Sequence, residues 1–375
     1  MLSFWETKNF IRYDYCVIGA GITGLSAACE LAERFPKARI LVLERGLLPT
    51  GASTKNAGFA CIGSLSEKVH DLQIMGEDKF LQLVENRWKG LQILRKRLSD
   101  HAIGFEPNGG YELVRKNEPA NFLGEIDSMN KLLKGILPGP VFSLQNKMIA
   151  HFGLNLHTIS HIIFNNAEGQ IDTGKMMYSL WTYANLLKVK IITGANVEAM
   201  NQQQHGVELE CNNAYQKTSF FASKVLVCTN AFTKQLLPQV IITPGRGQVI
   251  VTSPVKGLKL KGIFSFDEGY FYFRNFENRI IFGGGRNLDF EKENTMEFGS
   301  NRKIIDELKR HLKETILPGH DYTIDQQWSG IMAFSADKLP LVKRINEHLA
   351  IGVRLNGMGI ALGSKLAKDL VDLIA

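Results

Sequence analysis

The run Tyr15-Cys16-Val17-Ile18-Gly19-Ala20-Gly21-Ile22-Thr23-Gly24-Leu25 constrains the fold more than any other stretch of the chain. Tyr15, Val17 and Ile18 read as a buried strand that breaks at Gly19-x-Gly21-x-x-Gly24. From Ile22 to Arg34 apolar residues recur at helical spacing through Leu25, Ala28, Leu31 and Ala32. Each glycine has its own task. Gly19 permits the strand-to-helix turn, Gly21 leaves room for a pyrophosphate against the backbone, and Gly24 lets the helix lie close on the strand. The first N–H groups of the helix and its positive dipole end then face the phosphates. A second strand, Arg39-Ile40-Leu41-Val42-Leu43, ends in Glu44, 20 residues beyond Gly24, where such a unit needs an acceptor for ribose hydroxyls.

A chain of 375 residues is longer than one hydrophobic core usually supports, which predicts two domains. With 45% hydrophobic and 22% charged residues the composition is that of an ordinary globular protein, and no apolar run is long enough to span a bilayer. The stretch before Tyr13 is too short and too polar for a signal peptide, which favours the cytoplasm. Five scattered cysteines, two of them (Cys16 and Cys228) inside apolar strand-like runs, read as reduced thiols rather than disulfides or metal ligands. The net charge of +7 would suit a nucleic-acid partner, but Lys and Arg are dispersed, and the densest cluster, Arg95-Lys96-Arg97, lies on a helix-like stretch. Nucleic acid is therefore not the expected partner.

After Glu44 and Arg45, the run Gly51-Ala52-Ser53-Thr54-Lys55-Asn56-Ala57-Gly58 is dense in small residues, hydroxyls and amides, suited to close approach to phosphate and ring heteroatoms. Helical periodicity runs from Ser66 to about His101, and again over about 120–133. Asp172 or Thr173 is positioned to cap a helix from Lys175 to Leu187. The strand Lys224-Val225-Leu226-Val227-Cys228 ends at Thr229 and Asn230 and reads as a return to the first sheet, with its carboxyl end at the ligand edge. Strands over 248–252, 270–274 and 279–282, and a helix over about 300–312, predict a second, mostly antiparallel sheet. Near the end, a strand Leu349–Val353 leads through Arg354, Leu355 and Asn356 to Gly357-Met358-Gly359 and a helix from Ile360 to Ile374. This is a second glycine-bearing turn at a helix N-terminus.

Taken together these residues resemble the FAD-dependent D-amino-acid oxidase superfamily, which includes glycine oxidase, sarcosine oxidase and the gamma-glutamylputrescine oxidase group. The resemblance covers nearly the whole chain. It is strongest in the first sixty residues, and weaker in Gly169-Gln170-Ile171-Asp172, Gly245-Arg246-Gly247-Gln248, Trp328-x-Gly330 with Asp337-x-x-Pro340, and Gly357-x-Gly359. It implies an α/β Rossmann-type FAD-binding domain of glutathione-reductase style with an inserted, mostly antiparallel substrate domain. The corresponding division is 1–75, 145–240 and 325–375 for FAD, and 76–144 and 241–324 for substrate. It further implies hydride transfer to the flavin from the carbon next to nitrogen in an amine or amino acid. By the resemblance, Gly19, Ala20, Gly21, Ile22, Thr23 and Gly24 hold the pyrophosphate, and Glu44 with Arg45 lies at the adenosine ribose. Val197 flanks the adenine. Ser53, Thr54, Asn56, Ala57 and Gly58 run beside the flavin side of the phosphates. Thr229 and Asn230 border the cofactor, and Asn356, Gly357, Met358, Gly359 and Ile360 meet the flavin pyrimidine edge.

The sequence departs from the family where many members place a carboxylate-binding arginine, here Met332, and a histidine, here Met358. It departs again where the sarcosine-oxidase type carries an oxygen-activating lysine, here Ile281. Gly330 occupies the position of a flavin-attaching cysteine, so the FAD is expected to be non-covalent. If the substrate has a carboxylate, a cation must replace the missing arginine. Arg354 and Arg274 are the candidates, with Tyr270 and Tyr272 walling the pocket on one face of their strand. The electron acceptor stays open. So do two other readings: a flavoenzyme acting on a modified tRNA nucleotide, and a flavin-bearing protein with a binding role and little turnover.

Overall fold

The computed structural model describes residues 2–212 and 217–374. Two eight-stranded sheets organise the chain. The first sheet runs in the order Leu341–Asn346, Leu349–Val353, Lys217–Val227, Arg12–Ile18, Ile40–Leu43 and Lys190–Ile192. A hairpin of Asn196–Gln203 and Gly206–Asn212 continues from Lys217–Val227. The pairs around Arg12–Ile18 are parallel. These strands read as unbroken apolar runs because both their faces are covered. Val17 and Val42 enter a core shared with the helices, while Cys16, Ile18, Leu41 and Leu43 enter the opposite core. The helices Ile22–Arg34, Glu77–Leu98 and Gly359–Ile374 pack on one another over the first of these faces. A Cβ at Gly90 would come within 1.9 Å of the Ala361 carbonyl oxygen, so that glycine sets how closely two of these helices approach.

The second sheet runs Ile324–Phe334, Thr243–Thr252, Arg279–Gly284, Phe271–Phe276, Ile263–Phe266, Gly110–Arg115, Ile159–Asn165 and Phe142–Leu144. Only the contact of Ile263–Phe266 with Gly110–Arg115 is parallel. One face is an aromatic core in which Phe264 stacks on Phe273 at 4.8 Å and Phe266 on Phe271 at 4.9 Å, closed by Ile304, Ile305 and Leu308 of the helix Arg302–His311. The other face is left for the site.

The α/β class with an inserted antiparallel sheet is as expected. Two details differ. The single helix expected from Ser66 to His101 is two, Leu65–Met75 and Glu77–Leu98, because Gly76 sits at φ +77° and breaks the path between them. The boundaries expected at 76, 145 and 325 are not those of the sheets. Ile159–Asn165 and Ile324–Phe334 are strands of the second sheet, while Glu77–Leu98 packs in the helical core of the first.

Candidate active site

The three glycines behave as their spacing requires. Gly19 adopts φ +101°, and a Cβ there would sit 3.0 Å from the Cys228 carbonyl oxygen. A Cβ at Gly24 would meet the Gly19 carbonyl oxygen at 1.9 Å, so the helix rests on the turn itself. A Cβ at Gly21 would meet only the Ser53 side chain, the nearest atom being Oγ at 3.0 Å; the space above it is free for a ligand. Ser53 Oγ accepts a hydrogen bond from the Ile22 amide at 2.9 Å at the mouth of the same helix. Thr23 Oγ1 is buried there and has no hydrogen-bond partner. The Glu44 carboxylate is fixed by the Ala20 amide at 2.9 Å and the Gly46 amide at 2.9 Å.

These groups line one end of a cavity of about 630 Å³. Gly19, Gly21, Ile22, Thr23, Glu44, Arg45, Ser53, Asn56, Ala57, Val197, Thr229 and Asn230 all reach it. So do Asn356, Gly357, Met358, Gly359 and Ile360 from the far turn, where the helix Gly359–Ile374 begins. Gly357 adopts φ +81°, and Asn356 Oδ1 accepts from the Ser335 amide at 2.9 Å, pinning the turn. Ala20, Gly24, Thr54 and Gly58 shape the walls from behind rather than facing the cavity. Asn56 is a brace. Its Oδ1 accepts from the Gly58 amide and the Thr173 hydroxyl, both at 2.8 Å, and its Nδ2 donates to the Ser53 carbonyl at 2.9 Å. The weaker motifs serve the same loop: Trp328 Nε1 donates to the Lys55 carbonyl at 2.9 Å, and Gly169–Gln170 pairs with Phe59–Ala60.

The other end is bounded by the second sheet. Side chains alternate along Thr243–Thr252, so Arg246 and Gln248 turn away to hold Glu293. Gly247 lines the cavity, where a Cβ would strike Met332, and a Cβ at Gly245, two residues along on the same face of the strand, would strike Phe334. Glycine at two successive inward positions leaves this space open. Tyr270 and Tyr272 line it as expected, with Tyr272 packed edge-on against Phe59 at 5.5 Å and its hydroxyl pKa pushed up to about 12 by burial.

Neither arginine candidate does. Arg274 is buried and spends its guanidinium on the carbonyls of Gly58 (3.1 Å), Ile171 and Asn275 (2.9 Å), holding the flavin-side loop to the second sheet. Burial pulls its pKa down to about 10. Arg354 donates to Asp337 and to the Leu339 carbonyl at 3.2 Å, outside the cavity. Ile281 likewise does not reach the cavity, whereas Met332, Met358 and Gly330 do.

A buried charged network beneath Cys61–Ser64 was not legible in the sequence. Lys68 Nζ and Arg87 Nη1 both donate to the Ile62 carbonyl, at 2.7 and 2.9 Å, while Glu168 accepts from the Ile62 and Gly63 amides at 2.8 and 2.9 Å. Arg87 also pairs with Glu67 at 2.9 Å, and Asp71 accepts from Lys338 at 2.6 Å. Burial, opposed by hydrogen bonds, raises Glu168 and Glu112 to about 7, and burial together with Arg87 lowers Lys68 to about 8.

A glycine-hinged strand–helix turn and a second glycine turn open on one cavity, bounded by an antiparallel sheet. The family model described as DAO, FAD dependent oxidoreductase, matches residues 14–373, and the chain belongs to that family. It is 24% identical to a probable oxidoreductase OrdL of Haemophilus influenzae, over 96% of this chain and 82% of the relative. It is 23% identical to the gamma-glutamylputrescine oxidoreductase of Escherichia coli, over 99% of this chain and 85% of the relative. Its fold is similar to that of L-proline dehydrogenase from P. horikoshii, with a TM-score of 0.78 at 18% identity, covering 97% of this chain and 94% of that one. FAD is thus the cofactor, and the buried unpartnered Thr23 hydroxyl, the open face of Gly21 and the anchored Glu44 fit its phosphates and ribose.

Proposed function

We propose that this chain oxidises the carbon next to nitrogen in a small amine or amino acid. The observation that carries the reading is the single cavity shared by the nucleotide cradle and the Tyr270–Tyr272 wall. The name of the Escherichia coli relative, an oxidoreductase of an amine derivative, points the same way. Bound FAD would supply a hydride acceptor, so that the substrate, losing hydride from carbon and a proton from nitrogen to solvent, would leave as an imine. The chain supplies position and surroundings. Amides at the start of Ile22–Arg34 and the Ser53 and Thr23 hydroxyls would hold the pyrophosphate, and Glu44 the ribose. The first amides of Gly359–Ile374 bring a positive dipole end to the flavin end of the cavity and favour an electron-rich ring there. Tyr270, Tyr272 and Phe59 exclude water and orient the C–H bond. The flavin is held without a covalent bond, in keeping with Gly330 at the attachment position. Among the described residues no helix is long and apolar enough to cross a membrane.

The test is anaerobic mixing of the FAD-loaded protein with a panel of amines and amino acids. Loss of the flavin's visible absorption with one of them is expected. A flavin that dithionite bleaches and no amine does would overturn the reading.

A further inference from the structure

The family's carboxylate-binding arginine is replaced by Met332, and Arg274 and Arg354 are spent elsewhere. Six cationic or titratable basic side chains among the described residues line the cavity: Arg45, Lys55, His70, Arg87, Arg286 and Lys338. Arg87 is paired with Glu67, Lys338 with Asp71, and His70 lies 3.9 Å from Glu268. Arg45 stacks on Phe232 at 3.7 Å beside Glu44, at the nucleotide end. Lys55 holds its ammonium 5.3 Å over the ring of Phe298, a residue that is 47% exposed.

Arg286 remains. Its guanidinium lies over the rings of Phe334 at 3.9 Å and Phe290 at 4.8 Å. No carboxylate among the described residues pairs with it. Glu293, which acts on it through space, is committed to Arg246, Gln248 and Asn301. Of its five N–H donors, one on Nη1 has an acceptor among the described residues, Asn294 Oδ1 at 3.3 Å. Burial lowers its pKa, opposed in part by Tyr270 and Glu293 through space. Its position is also informative. A Cβ at Gly245 would lie 3.1 Å from Arg286 Nη1, and Gly245 pairs directly with Met332 across the strands. The guanidinium therefore lies over the strand position next to the residue that took the arginine's place.

We infer that Arg286 is the anion anchor of this site, so that the substrate is an amine bearing a carboxylate rather than a simple amine. The inference rests on the amine-oxidising reading. A planar fork with donors to spare, packed over two aromatic rings, matches a carboxylate in two hydrogen bonds. Glycine at 245 provides the room for it.

The experiment titrates the FAD-loaded protein with benzoate and with its neutral isostere benzamide, by calorimetry. Wild type should prefer benzoate. Arg286→Met should retain FAD and lose that preference, with benzoate affinity falling on the order of a hundredfold. Arg286→Lys, which keeps the charge but not the fork, should retain part of it and serves if the methionine variant fails to fold. In turnover, the ratio of kcat/KM for proline over pyrrolidine, or alanine over ethylamine, should fall in Arg286→Met, chiefly through KM. Wild type without a benzoate preference, or Arg286→Met that keeps it, would overturn the assignment. Failure of the oxidising reading shows separately, as a flavin that no member of either matched pair reduces.

Discussion

The Gly24 Cα faces the Gly19 carbonyl so closely that an added Cβ would stand 1.9 Å from its oxygen, whereas a Cβ on Gly21 would reach only the Ser53 side chain, its Oγ at 3.0 Å. The two glycines of one motif therefore answer to different demands. Gly24→Ala must push the helix off its own turn. It is expected to destabilise the apoprotein by about 1–3 kcal/mol or more, read as a lower Tm without FAD. Gly21→Ala is expected to leave the apoprotein Tm nearly unchanged and to weaken FAD binding at least tenfold, read by fluorescence titration. Equal effects of both on apoprotein Tm would contradict this division.

Arg274 is assigned to holding the Gly58–Ile171 junction rather than to substrate. Arg274→Met leaves the Ile171 carbonyl without its donor and the Gly58 carbonyl with the Ile171 amide alone, at an expected cost of about 1–3 kcal/mol in denaturant unfolding. Reduction of the flavin by substrate, measured per bound flavin, should hold near the wild-type rate. A stable variant with a lost anion preference would return Arg274 to the site.

Glu112 gives the fold a pH dependence. It accepts from the Leu65 and Ser66 amides at 2.9 and 3.2 Å and from the Ser66 hydroxyl, yet burial dominates and raises its pKa from 4.5 to about 7. The folded chain therefore binds this proton more tightly than the unfolded chain. The associated stability is complete below about pH 4.5 and is lost as pH rises through about 7. Glu112→Gln cannot ionise. Relative to the variant, wild type should lose about 1–3 kcal/mol between roughly pH 5 and pH 8, followed as the difference in unfolding free energy. A difference independent of pH would contradict the protonation.

What the sequence revealed was what neighbours in the chain decide. The strand, the glycine turn and the helix from Tyr15 to Arg34 are local, and Glu44 follows at a fixed spacing, so their structure could be read directly. Gly357–Gly359 was legible for the same reason. The break at Gly76 was hidden because the apolar period runs through it, and an interior glycine costs a helix only about 1 kcal/mol. The network around Ile62 was hidden because its members, Glu67, Lys68, Arg87 and Glu168, converge only through the fold. Arg354 and Arg274 looked suitable because each sits at a strand beside the site. Their partners, Asp337 and the Gly58 carbonyl, come from distant segments. A signal for Arg286 was present, since it follows three glycines, but only the fold brings its guanidinium beside Gly245, the strand partner of Met332.

The central claim is that both glycine hinges close on a single FAD, whose flavin end meets the Tyr270–Tyr272 wall. The most direct measurement is a titration of apoprotein with FAD, comparing wild type with Gly21→Val and Gly359→Pro. The account predicts one FAD per chain for wild type and strongly weakened binding for variants at either hinge. Full-affinity binding by the Gly359→Pro variant, or a wild-type protein that takes up no FAD, would contradict it.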